Sequence, residues 1–169
     1  MASRVSKFER EVVAAFGGSV EDYRNGKIET EDDFLASLYH HLRGHTDKNR
    51  IMKISIGRPV GDVNPALSVF KGDECLVVIE ILTATRSGSG GKAVPYDRSQ
   101  VKERIERLKA CAPFCERGFL ICIDEGEPGF EDGPAGWKED YYRNLWHEAG
   151  EDKTYLFEVK KGRTNKRRV

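Results

Sequence analysis

No stretch of about 18 apolar residues occurs anywhere in the 169-residue chain, which removes the usual signal of a membrane-spanning helix. Residues 1–11 also lack the basic, apolar and small-residue succession of a secretory leader, so a cytoplasmic protein without a membrane partner is expected. Cysteine is sparse: Cys75, Cys111, Cys115 and Cys122 lie in or beside apolar runs, where reduced thiols behave as small hydrophobes, so no disulfide framework is expected. Neither sign of charge is in excess, with 28 basic and 28 acidic residues, so net charge gives no case for a nucleic-acid partner. No internal repeat is visible.

What is present fits one water-soluble domain. Charged residues make up 33% and apolar residues 38% of a chain long enough to bury a core without staples. Charge is distributed unevenly: Lys160, Lys161, Arg163, Lys166, Arg167 and Arg168 crowd a terminus without acids, whereas Glu21 to Asp33 is acid-rich. The expected organisation is a domain over 1–159 followed by a basic tail over 160–169.

Apolar periodicity sets the expected elements. Val5, Phe8, Val12 and Phe16 fall at helical spacing, with Gly17 and Gly18 as the expected stop. Thr30 can cap a second helix whose stripe is Phe34, Leu35, Leu38 and Leu42, running to Gly44. Residues 51–56 and 67–70 read as strands, and a Lys71-Gly72-Asp73 turn leads into 75–82, a nearly unbroken apolar run typical of a strand covered on both faces. Residues 83–96 form a glycine-rich loop. Asp97 with Gln100 then opens a helix lined by Val101, Ile105 and Leu108, before an apolar strand at 119–123. Strand, helix and strand in that order imply a parallel pair joined by a crossover. Residues 125–136 read as a loop. Trp137, Tyr141, Leu145 and Ala149 predict a last helix, and 154–159 a closing strand.

The helix with an acidic start, the hairpin, the buried strand bearing one glutamate and the crossover helix opening with glutamine together resemble the PD-(D/E)XK nuclease superfamily over roughly residues 30–124. The resemblance implies an α/β fold, a restriction-endonuclease-like three-layer sandwich with a mixed sheet of about five strands flanked by helices. It implies magnesium, held by a helix acid matched by Glu31 and a strand acid matched by Glu80. Gln100 resembles the glutamine of that family's Gln-x-x-x-Tyr helix, with Arg104 where tyrosine would stand. Two positions depart from the pattern. The Pro-Asp expected before Leu67 reads Pro65-Ala66, and the lysine expected two residues after Glu80 is Leu82. Asp62 is the nearest substitute ligand, and Lys53 or Lys92 the candidate replacement cation.

The expectation is a nuclease-like protein that engages nucleic acid, DNA ahead of RNA, with hydrolysis of the phosphodiester weakened or lost. Arg86, Lys92, Arg98 and the six basic tail residues are the candidate phosphate contacts. Two alternatives stand beside it. One is an active magnesium-dependent endonuclease using Glu31, Asp62, Glu80 and a relocated lysine; the other is a protein-binding or assembly module. A homodimer is left open.

Each motif also has a plainer reading. Acids in the first turn of a helix are favoured by its dipole, glutamine at the third position completes a cap, and a buried glutamate needs a partner in any protein. Ser-Gly-Ser-Gly-Gly-Lys differs from a phosphate-cradling loop, because Arg86 replaces its first glycine and Ala93 its magnesium-binding hydroxyl. His41/His45 and Cys111/Cys115 are each four apart and could in principle make a zinc site, but structural zinc motifs usually pair cysteines more closely and this Cys pair flanks Pro113.

Overall fold

The computed structural model describes residues 4–46, 52–84, 98–124, 142–148 and 153–159. Two helices come first, α1 (Arg4–Arg24) and α2 (Glu31–Thr46). Three strands follow, β1 (Met52–Ile56), β2 (Leu67–Lys71) and β3 (Glu74–Ala84), then α3 (Arg98–Cys111). A 3-10 turn (Ala112–Phe114) leads into β4 (Cys115–Asp124), and β5 (Tyr142–Glu148) and β6 (Lys153–Val159) complete the order. No helix among the described residues is long and apolar enough to cross a membrane.

Among the described residues the strands make one six-stranded sheet in the order β1-β2-β3-β4-β6-β5, where about five were expected. The β1–β2, β2–β3, β4–β6 and β5–β6 pairs are antiparallel, and β3–β4 is the parallel pair at the centre. Two clusters of buried side chains, one on each face, make the architecture α/β with three layers. Val12, Phe16, Val20, Phe34, Leu38 and Leu42 of α1 and α2 pack on Leu67, Val69, Val77, Ile79, Ile81 and Phe119. On the opposite face Val101, Ile105, Leu108 and Cys111 of α3 meet Phe70, Val78, Leu82, Leu120 and Cys122.

A bulge fixes which side chains of β3 face α3. The β2–β3 pairing shifts from Val69↔Val77 to Phe70↔Cys75, so Leu76 stands opposite no β2 residue. One extra residue inverts the two-residue alternation. Cys75 therefore shares the α3 face with Val78 and Leu82, while Leu76 packs with Val77, Ile79 and Ile81 on the other. Glu80, in phase with Val78 and Leu82, is carried to the α3 side.

Capping of α2 follows its sequence closely. The Asp33 N–H donates to Thr30 Oγ1 at 3.1 Å and the Thr30 N–H donates back to Asp33 Oδ2 at 3.0 Å, a reciprocal capping box. Asp33 also accepts the Glu29 N–H, and these bonds, the Glu29 one foremost, hold its carboxyl below the ordinary range.

Some expected boundaries are overturned, and β3 continues to Ala84, into the stretch read as a loop from residue 83. The Gly17-Gly18 pair does not end the first helix, which continues to Arg24. The glycine serves close approach instead: a Cβ on Gly18 would lie 2.7 Å from His41 Nδ1 on α2. The His41 ring is pinned there by a 2.9 Å contact from Nε2 to Asp22 Oδ2, and Asp22 also accepts from Ser37 and pairs with Lys27. The helix expected around Leu145 is likewise absent at 142–148, where the chain forms β5. Pairing with β6, from Tyr142↔Val159 to Glu148↔Thr154, outweighs the weak helical spacing. Trp137, Tyr141 and Ala149 lie outside the described residues.

Candidate functional site

Glu80 lies in the middle of β3, next to the parallel seam, and is 1% exposed. A carboxylate so placed requires compensating charge and donors. Both come from α3. Arg107 Nε donates to Glu80 Oε1 at 3.1 Å and Arg104 Nη1 to Oε2 at 3.4 Å. The N–H of Ala66, just beyond the Leu67↔Ile79 pair, adds a main-chain bond. Burial nevertheless pushes the carboxyl above its ordinary range, against the pull of Arg107, Arg104 and that N–H.

The spacing of α3 explains why two arginines reach one carboxylate. Residues 104 and 107 are three apart and share a helix face beside the buried Ile105 and Leu108. Their stems cover the sheet while their heads keep partial access to water, at 28% and 31% exposure. Arg107 Nη2 also donates to the Asn64 carbonyl, tying the segment before β2 to α3.

Glu31, the first residue of α2, joins this cluster from the other layer. Its Oε1 lies 3.6 Å from Arg104 Nη2, and its Oε2 accepts the Thr83 N–H at 3.3 Å. The position is created by unequal strand lengths: β2 stops pairing at Leu67↔Ile79, whereas β3 runs on to Ala84. Arg104 thus stands between two carboxylates, one buried and one at the surface.

The remaining residues singled out by sequence fall elsewhere. Asp62 is exposed in a turn closed by the Val60↔Val63 bridge. Its neighbour Gly61 lies under the Phe114 ring just before β4, whereas Glu31 meets Thr83 near the opposite end of β3. Gln100 is exposed in the first turn of α3. Lys53 is exposed on β1, two strands away from β3, and is not the cation beside Glu80. Arg98 opens α3, but its side chain is outside the described set, as are Arg86, Lys92 and the tail residues Lys160, Lys161, Arg163, Lys166, Arg167 and Arg168.

These residues do not fit a resident magnesium ion. Among the described residues no group of three His, Cys, Asp or Glu side chains is arranged to hold a metal, so Asp62 does not join Glu31 and Glu80 in one. Both Glu80 oxygens already accept from guanidiniums, and Ala66 and Leu82 offer neither ligand nor charge. The four thiols are free and buried, and burial pushes Cys75 up to about 11 and Cys111 in the same direction, so neither presents a thiolate to a metal or an electrophile.

Arg107 was not marked by the sequence as functional, and Arg104 was marked only as a departure from a tyrosine. The available signal was the single acid inside an apolar strand, which demands a cation; the supplier follows only from packing of α3 over β3. In comparisons with known proteins, no family model, no curated protein and no solved structure matches the chain.

Proposed function

We propose that this protein is a restriction-endonuclease-like scaffold that engages nucleic acid and has lost, or nearly lost, the capacity to hydrolyse it. The observation that carries the reading is the pair of guanidiniums bound to Glu80. A carboxylate that would hold a divalent cation is neutralised by side chains of the same chain. The element order supports the scaffold reading: an acid-capped helix, a hairpin, a buried strand with one glutamate, and a crossover helix to a parallel strand.

Hydrolysis of a phosphodiester on such a scaffold needs a cation to polarise the phosphoryl group and a base or metal to activate water. Here a metal would have to displace two arginines from a buried acid, a loss of several kcal/mol before any coordination is gained. Leu82, on the same face as Glu80, supplies no ammonium. Binding needs neither of these: part-exposed Arg104 and Arg107 stand beside the parallel strands, and Arg86, Lys92, Arg98 and the basic residues of 160–169 add phosphate contacts.

The test is a magnesium and manganese titration on labelled DNA and RNA, following cleavage and binding of wild type, Glu80→Ala and a chain lacking residues 160–169. The expected result is no metal-dependent cutting and binding that weakens with salt and with loss of the tail. Cutting that disappears in Glu80→Ala would establish an active nuclease instead. Absence of binding to every nucleic acid tried would leave the assembly-module reading.

A further inference from the structure

We propose that Arg104 and the Thr83 N–H form a phosphate-binding site that the protein keeps filled with its own Glu31 carboxylate. Two donors from different elements converge on this one anion. The Thr83 N–H, on the part of β3 that extends past β2, donates to Glu31 Oε2 at 3.3 Å. Arg104 Nη2 faces Oε1 at 3.6 Å. A main-chain amide and a guanidinium edge aimed at a common point suit an oxyanion of phosphate as well as a carboxylate.

The two carboxylates on Arg104 are held very differently. Glu80 is buried and takes Nη1 at 3.4 Å while Arg107 secures its other oxygen, so it acts as a positioning residue that fixes the guanidinium. Glu31 is 41% exposed and sits beyond hydrogen-bond length from Nη2. An ion pair of that kind contributes little net stability and is readily exchanged for another anion. Displacing Glu31 frees an oriented Nη2 and a main-chain N–H while the fold beneath keeps its own acid.

The location is favourable for a ligand, since crevices in open α/β sheets form outside the carboxyl ends of parallel strands. Thr83 is one residue from the end of β3 and pairs with Ile123 of parallel β4. Identification of the ligand as a backbone phosphate of nucleic acid rests on the function proposed above; the existence of an anion site does not. Glu31 would then be an internal competitor that sets the threshold for binding.

The experiment titrates inorganic phosphate, and separately a 5′-phosphorylated single-stranded oligonucleotide, into wild type, Glu31→Gln, Arg104→Gln and Arg104→Lys. The Thr83 amide and Arg104 side-chain NMR signals report occupancy. Loss of Glu31 charge should tighten phosphate binding roughly two- to fivefold, the worth of one exposed ion pair. Arg104→Gln should abolish it, and Arg104→Lys should restore only part. Glu31→Gln without tighter phosphate binding, or shifts confined to other residues, overturns the site. If phosphate behaves as expected while the oligonucleotide binds neither wild type nor any variant, the site stands and the nucleic-acid reading falls. If wild type and every variant bind the oligonucleotide alike and phosphate responds to none of the substitutions, this inference falls and that reading stands. Should Arg104→Gln fail to fold, the Glu31→Gln comparison decides the matter alone.

Discussion

Replacing Arg107 with alanine isolates the ion cluster that dominates the α3 face. The change removes the 3.1 Å bond to Glu80 Oε1 and the donor to the Asn64 carbonyl, leaving a fully buried carboxylate with Arg104 at 3.4 Å and the Ala66 N–H. Breaking a buried pair by removing one partner costs about 3–5 kcal/mol, and the surviving arginine and the Ala66 N–H place this case near 2–3 kcal/mol at neutral pH. In a domain of this size that is a fall in Tm of about 5–10 °C. The pH dependence gives the sharper check. Because the folded Glu80 carboxyl is raised, the native state holds its proton more tightly than the unfolded chain does. Stability from this group is therefore fully present below the ordinary glutamate value and is lost as pH rises through the raised one. Without Arg107 the carboxyl rises further, so the destabilisation should be largest near pH 8 and shrink towards pH 4.5, where a protonated Glu80 no longer needs the guanidinium. Urea unfolding of wild type and variant across that range measures it. An equal loss at every pH would show that Arg107 acts through packing and the Asn64 bond, and would refute the charge argument.

Further expectations concern the helix pair and its cap. Gly18→Ala should destabilise by about 1–3 kcal/mol in wild type, because the new methyl strikes a pinned His41 ring, yet be neutral or stabilising in a His41→Ala background where helix propensity alone remains; a double-mutant unfolding cycle reads the sign change. His41, Ser37 and Lys27 hold the Asp22 carboxyl down at about 2, so its contribution is present above pH 3.8 and is lost as pH falls through about 2. Asp22→Asn should therefore cost about 1–2 kcal/mol at pH 7 and less in acid, as followed by circular dichroism. Thr30→Ala should cost about 1 kcal/mol through loss of its bond to the Asp33 N–H, measured by thermal unfolding.

The elements best read from sequence were those whose signal is local. The apolar run of β3, the stripe and cap of α2, and the Val101, Ile105 and Leu108 face of α3 are each written within one segment, and the parallel β3–β4 pair follows from their order. What escaped depends on partners distant in the chain. Gly17 and Gly18 look like a stop until His41 is seen lying against Gly18 from another helix. Leu145 and its neighbours carry a helical spacing that pairing with β6 overrides. In the candidate site, the need of Glu80 for a cation was legible from its apolar surroundings. That arginines of α3 meet it, rather than Lys53, depends on which helix covers that face of the sheet.

The parallel seam bears on the order of folding. On one side of it β1, β2 and β3 form a meander of near neighbours, and on the other β5 and β6 form a hairpin, so both can assemble from short-range contacts. Joining β3 to β4 closes a far longer loop that includes α3, and such closures are the slow ones. The bond between the two halves is thus expected to form late, and the arginine clamp with it, since α3 reaches Glu80 only when the crossover is in place; pulse-labelled hydrogen exchange that protected β4 before β2 would reverse that order.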